Sequence, residues 1–110
     1  MKKDIKEFVK KKIELVIHPV KLLTYGSTNN RENTDEELNG ENIKARDFDI
    51  AVIVSDTENI YELVKSLRSI MKDVIIEYGI MVNITPIHES VFLHGKSEFL
   101  DNVRKTGMGL

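Results

Sequence analysis

The sequence has no cysteine among its 110 residues. Disulfide bonds, thiolate metal sites and cysteine nucleophiles are therefore excluded. No apolar run approaches the length of a membrane-spanning helix, so we expect no membrane span. The first residues, Met1-Lys2-Lys3-Asp4, lead into an amphipathic pattern that lacks the apolar centre of a signal peptide. The expected location is the cytoplasm.

The sequence also has little net charge. A formal charge of −2 at pH 7 does not supply the broad basic surface that nonspecific nucleic-acid binding needs, so stable nucleic-acid binding is not expected. With 41% hydrophobic and 31% charged residues, the composition is typical of a globular chain and not of a disordered one. The length predicts a single domain, residues 1–110.

The apolar residues follow two different periods along the chain. Helical spacing predicts three helices, over residues 4–16, 58–78 and 97–105. Short apolar runs predict three strands, over residues 20–25, 47–55 and 80–87. The second strand has apolar residues on both faces, so we expect it to be central. The predicted fold class is α/β (α+β), a small mixed sheet covered by helices largely on one side.

Polar and glycine-containing stretches mark the ends of these elements. Asp56-Thr57 is the predicted cap of the long helix, and Gly79 is its predicted stop. Ser97 is the predicted cap of the last helix. Residues 28–46 are expected to form a surface loop, and residues 88–96 a connecting segment. Residues 107–110 are expected to be a tail that is loose or belongs to an interface.

The segment from residue 22 to residue 55 contains the residues that indicate chemistry. The first strand ends in Gly26-Ser27, where glycine allows the backbone to approach a ligand closely and serine offers a hydroxyl and an N–H group to a phosphate. The second strand begins with Asp47-Phe48-Asp49, so both carboxylates lie on one face. Two adjacent carboxylates repel each other unless a cation lies between them. Hard oxygen ligands of this kind, with substrate phosphates, suit Mg²⁺.

Gly26-Ser27, a loop, Asp47-Phe48-Asp49 and an apolar strand together resemble the signature of the polymerase-β-like nucleotidyltransferase superfamily. The small size is similar to the minimal nucleotidyltransferase branch, whose members pair with HEPN-domain proteins in toxin–antitoxin modules. The resemblance covers nearly the whole chain. It implies a polymerase-β-like palm fold.

The resemblance also implies an activity and a set of site residues. Asp47 and Asp49 would be the catalytic metal ligands for Mg²⁺, and Gly26 and Ser27 would hold the phosphates of a nucleoside triphosphate, expected to be ATP. The reaction would transfer AMP to a hydroxyl on a partner protein, expected to be a HEPN-domain protein. Homo-oligomer formation is left open.

The resemblance places the family's third carboxylate position at or near Asn83, on the third strand. Asparagine supplies a neutral oxygen and cannot act as a general base. Glu77 and Glu89 flank that strand, and neither is an evident substitute. Asn83 is therefore the candidate third-ligand position and a marker of altered chemistry.

Two other functions stay open at this point. The first is a binding module that keeps the fold, with weak or no catalysis, and neutralises a partner by forming a complex; Asn83 favours it. The second is an RNA-tailing or polymerase-like enzyme, which would need a basic groove or an added domain that the sequence does not show.

Overall fold

The structure is a computed structural model that describes residues 3–26 and 47–110. Within these residues there are four helices and four strands. The helices are α1 (Lys3–Val16), α2 (Ile60–Tyr78), α3 (Glu89–His94) and α4 (Glu98–Thr106). The strands are β1 (Lys21–Tyr25), β2 (Asp47–Val54), β3 (Met81–His88) and β4 (Met108–Gly109).

The strands form one mixed sheet in the order β3-β2-β1-β4. β1 is antiparallel to both β2 and β4, whereas β2 and β3 are parallel. A parallel pair needs a long crossover connection, and α2 provides it. The small mixed sheet with flanking helices confirms the predicted α+β class.

β2 is buried on both faces, as predicted. On one face Phe48, Ile50, Val52 and Val54 belong to the larger core, which also contains the buried residues of α1 and α2. On the other face, Ala51 and Ile53 belong to a smaller core with Leu100 and Val103 of α4. Helices therefore cover both faces of the sheet, one more fully than the other. α4 packs on the face that we expected to be mostly open.

α1 and α2 pack side by side on the first face. The rings of Phe8 and Tyr78 meet edge to face with centroids 5.3 Å apart, and Lys12 Nζ lies 3.7 Å from an Asp73 carboxylate oxygen. Lys12 follows Phe8 along α1, whereas its partner Asp73 precedes Tyr78 along α2, so the two helices run antiparallel. Both partners of the ion pair are exposed, so the aromatic contact and the buried core contribute most of the stability of this packing.

The ends of α2 confirm one prediction and correct another. Gly79 ends the helix at φ +67°, the left-handed conformation that glycine adopts without strain. The cap at the other end is Asn59 and not Asp56-Thr57, because the Asn59 side chain accepts a hydrogen bond from Glu62 N. Asp56 instead accepts one from the N–H of Ser90, 3.0 Å away, and so ties the start of α2 to α3.

Two segments that we expected to lack regular structure are ordered: most of the connecting segment is helical, and the tail pairs with a strand. Residues 89–94 form α3, and His88, at the end of β3, donates from Nε2 to the Glu58 carbonyl oxygen over 2.8 Å. The tail is not loose: β4 pairs with β1, and Leu110 N donates to Leu22 O over 3.1 Å. The irregular connecting segment and the loose tail were wrong predictions, because contacts distant in sequence stabilise these short elements. The alternative that the tail is an interface element stays a prediction. Ser97 does cap α4, as predicted.

None of the helices in residues 3–26 and 47–110 combines the length and the apolar character needed to cross a bilayer. The loop predicted over residues 28–46 lies outside the described residues.

The turn between α4 and β4 gives a test of the tail's packing. A Cβ added at Gly107 would lie 2.6 Å from the Val103 carbonyl oxygen, whereas one at Gly109 would meet no atom of the described residues within 4 Å. We expect Gly107→Ala to lower the free energy of unfolding by about 1–3 kcal/mol, the usual cost of overpacking. Chemical denaturation measures it, with Gly109→Ala as the matched control. Equal stability of the two variants would contradict the close packing at Gly107.

Candidate functional site

The sheet register brings three separate parts of the sequence to one edge. Tyr25 pairs with Asp49, and Asp49 pairs with Asn83 on the other side. Gly26 directly follows Tyr25, so the end of β1 lies beside the starts of β2 and β3. Gly26, Asp49 and Asn83, three of the residues that the sequence singled out, therefore lie together.

Asn83 is bonded to Asp49. Its amide nitrogen Nδ2 donates to Asp49 Oδ1 over 3.2 Å. Asp49 is half-buried and Asn83 is exposed, so the pair opens to solvent at the sheet edge. The register thus places the candidate third-ligand position next to the carboxylate that it was expected to accompany.

Gly26 lies against the same carboxylate. Its φ is +91°, which favours glycine, and a Cβ built there would lie 3.1 Å from Asp49 Oδ2. The Gly26 N–H is already used, since it donates to Thr106 Oγ1 over 2.8 Å. Because Gly26 has no side chain, its backbone can lie close to the Asp49 carboxylate. Its N–H group holds this end of β1 against the end of α4.

Thr106 is a residue that the sequence did not indicate. Besides accepting from Gly26 N, its hydroxyl donates to Asn102 O over 2.7 Å, a bond within α4. The last residue of a helix near the C-terminal end of the chain thus holds the turn after β1. A threonine at a helix end carries no signal for such a contact 80 residues away in sequence.

Tyr25 is a second residue that the sequence did not indicate. Its side chain is buried, with 6% of its surface exposed, and its ring meets Phe99 edge to face at 5.7 Å between centroids. Burial, and then the nearby Asp49 carboxylate, raise the pKa of the Tyr25 phenol above its usual value, while a hydrogen bond with Thr85 acts in the opposite direction. The phenol therefore stays protonated beside Asp49 over the physiological range.

The remaining predicted site residues are only partly described. Asp47 begins β2, and its backbone pairs with Met81, but its side chain lies outside the described part of the structure. Ser27 lies wholly outside the described residues. Among the side chains that are described, no group of three or more His, Asp and Glu residues is arranged to hold a metal ion, so neither Glu77 nor Glu89 joins Asp49 in such a group.

The donors at Asp49 nonetheless suit one magnesium ion. A carboxylate and a carboxamide both offer hard oxygens, and Mg²⁺ in proteins takes one or two carboxylates together with substrate phosphates and water. Asn83 now presents its nitrogen to Asp49, and a half-turn of the amide would present its oxygen there. Gly26 keeps a side chain out of the space beside Asp49 Oδ2.

The raised pKa of Tyr25 gives a test by pH. A phenol whose folded-state pKa is raised binds its proton more tightly in the folded state, so its contribution to stability is complete below pH 10 and is lost as pH rises through the folded pKa. We expect Tyr25→Phe to reduce the fall in unfolding free energy above pH 10, measured by denaturant titrations between pH 8 and pH 11.

The matched control for this measurement is Tyr61→Phe, because the Tyr61 side chain is 85% exposed. We expect this control to follow the wild-type pH dependence. Identical curves for Tyr25→Phe and the wild type would contradict the assigned environment of Tyr25.

Comparison of the sequence with models of protein families gives no match, and comparison with curated proteins gives none. The relation to the nucleotidyltransferase superfamily therefore stays a prediction. It depends on Gly26-Ser27, on Asp47-Phe48-Asp49 and on the order of the strands and helices around them.

Proposed function

We propose that the protein is a Mg²⁺-dependent nucleotidyltransferase that transfers AMP from ATP to a hydroxyl group on a partner protein. The observation that carries the proposal is the convergence of Gly26, Asp49 and Asn83, which are far apart in sequence and share one edge of the sheet. A carboxylate beside a glycine turn at the end of a strand is an arrangement suited to holding a metal and a phosphate together.

The proposed reaction is an in-line displacement at the α-phosphorus of ATP. The acceptor oxygen forms a bond to that phosphorus, the bond to the β-phosphate bridging oxygen breaks, and pyrophosphate leaves. The acceptor's proton passes to solvent or to a carboxylate. When bound, Mg²⁺ neutralises charge on the phosphates and aligns the attacking and leaving oxygens.

The chain's own residues would supply binding and orientation. Asp47 and Asp49 would ligate the metal, and Asn83 would add a neutral oxygen or hold the Asp49 carboxylate in place. Gly26 and Ser27 would receive the phosphates, with Gly26 allowing close approach to the backbone. The protonated Tyr25 phenol adds no negative charge where phosphates would bind.

The proposed partner is a HEPN-domain protein, and the pair would act as a toxin–antitoxin module. This part of the proposal comes from the resemblance to minimal nucleotidyltransferases. The same resemblance implies that the acceptor hydroxyl would belong to this partner.

A second candidate function is a binding module that neutralises its partner by complex formation without transferring AMP. Asn83 favours it, because an amide beside Asp49 brings no third negative charge to draw in a metal and cannot remove the acceptor's proton. In this candidate the fold and partner surface are kept, and the Asp49–Asn83 bond is structural.

Intact mass spectrometry tests the transfer. The chain and its co-purified partner are incubated with ATP and Mg²⁺, and we expect a mass gain of one or more AMP units on the partner together with release of pyrophosphate. Asp49→Asn should reduce the gain by at least about 100-fold, since it removes a charge that holds the metal. Asp73→Asn, at an exposed aspartate of α2, is the matched control and should transfer normally.

No AMP gain by the wild type, with the partner bound equally well by Asp49→Asn, would exclude the transferase. The binding module would then be the function.

The variant Asn83→Asp separates the two candidates further. It would place a second carboxylate next to Asp49, and like charges there destabilise the fold unless a cation neutralises them. We expect a lower melting temperature without Mg²⁺, recovery of that loss with Mg²⁺, and transfer that is roughly 100-fold faster if the added carboxylate acts as a base. Thermal denaturation with and without Mg²⁺ measures the first two effects. A melting temperature that Mg²⁺ leaves unchanged would contradict a metal site at this pair.

A further inference from the structure

A cavity of about 280 Å³ opens on the sheet face that carries Asp49. It lies between the outer strand β3 and the helices that follow it. Its wall is mainly apolar and includes Ile60, Thr85, Pro86, Val91, Phe99 and Leu100. Cavities that hold drug-sized ligands run from about 300 to 1,000 Å³, so this cavity has room for a single ring system and not for a whole nucleotide.

The wall presents apolar surface to a ligand and few free polar groups. Phe99 is 43% exposed and Val91 is 44% exposed, so an aromatic ring and a branched side chain are open to contact. His88 and Ser97 also line the cavity, but each already has a partner: His88 donates to Glu58 O, and the Ser97 hydroxyl accepts from Leu100 N. Among the described residues that line the wall there is no carboxylate or ammonium group, so an uncharged ring is the ligand that it suits.

The cavity lies beside the Asp49 site on the same face of the sheet. Thr85 lies two residues after Asn83 on the same face of β3, a distance of roughly 6.6 Å along a strand. Tyr25 connects the two regions, because it pairs with Asp49 and packs its ring on Phe99. Thr85 and Phe99 in turn belong to the cavity wall.

We propose that this cavity binds the nucleobase of the nucleoside triphosphate whose phosphates lie at Asp49. The base would pack against the exposed ring of Phe99 and the Val91 side chain, and the ribose would span the distance between Asn83 and Thr85. A base offers a planar, uncharged face, and its stacking on an aromatic side chain is favourable for every base. This inference rests on the proposed function for the position of the phosphates at Asp49. Binding of the nucleoside part in the cavity is tested separately.

A variant that fills the cavity is better suited to the test than one that empties it. Phe99 packs on Tyr25, so its truncation would disturb the buried side of the site as well. Val91 is partly exposed on α3, and Val91→Phe adds bulk on the cavity side of that helix without removing a core contact. The matched control is Leu93→Phe, because Leu93 is 57% exposed on the same helix and does not line the cavity.

The full chain is titrated in three separate experiments, with adenosine, with tripolyphosphate and Mg²⁺, and with ATP and Mg²⁺. NMR chemical shifts measure the binding of each ligand. We expect adenosine to shift the signals of Thr85, Val91 and Phe99. Val91→Phe should weaken adenosine and ATP binding at least tenfold and leave tripolyphosphate binding unchanged, whereas Leu93→Phe should bind all three as the wild type does.

The outcomes for the two proposals are distinguishable. Absence of adenosine binding at millimolar concentration, or equal ATP affinity of Val91→Phe, Leu93→Phe and wild type, overturns the nucleobase cavity even when tripolyphosphate binds. Adenosine binding that Val91→Phe abolishes, with no binding of tripolyphosphate, supports the cavity and counts against the transferase.

Discussion

The double pairing of β2 is the constraint on which the rest of the structure depends. β2 is hydrogen-bonded to β1 on one side and to β3 on the other, and its side chains are buried in a core on each face. A slip of one residue in either register would exchange the faces of every side chain in the strand. Because burial on both faces forbids such a slip, Asp49 is fixed between Tyr25 and Asn83. The candidate site is therefore a direct result of how the sheet is packed.

The C-terminal residues extend this constraint to the turn after β1. α4 packs Leu100 and Val103 on the second face of the sheet, and Thr106, at its last position, accepts the Gly26 N–H. β4 then pairs with β1 beyond that contact. The turn that would receive a phosphate is thus held by the chain's last helix and strand. A nucleotide that needed the Gly26 N–H would have to compete with Thr106 for it.

Much of the fold was predictable because long elements have strong local signals. The apolar period of α2 extends over five turns and ends in a glycine with positive φ, and β2 is apolar on both faces. The short elements α3 and β4 were missed because six and two residues carry too little periodicity. The cap of α2 was misplaced because Asp56, Thr57 and Asn59 are all good cap residues, and the bond from Ser90 N to Asp56 decides among them.

The sequence by itself determined which residue types lie at the strand ends, namely Gly26 after the first strand, Asp47 and Asp49 at the start of the second and Asn83 on the third. Those positions follow from local apolar patterns, which need only a few neighbouring residues. The tertiary structure alone decided the strand order, the bond from Asn83 to Asp49, the hold of Thr106 on Gly26 and the protonated Tyr25 beside the site. Each of these joins residues that are 24 or more positions apart, and such contacts depend on how whole elements pack and not on the local sequence.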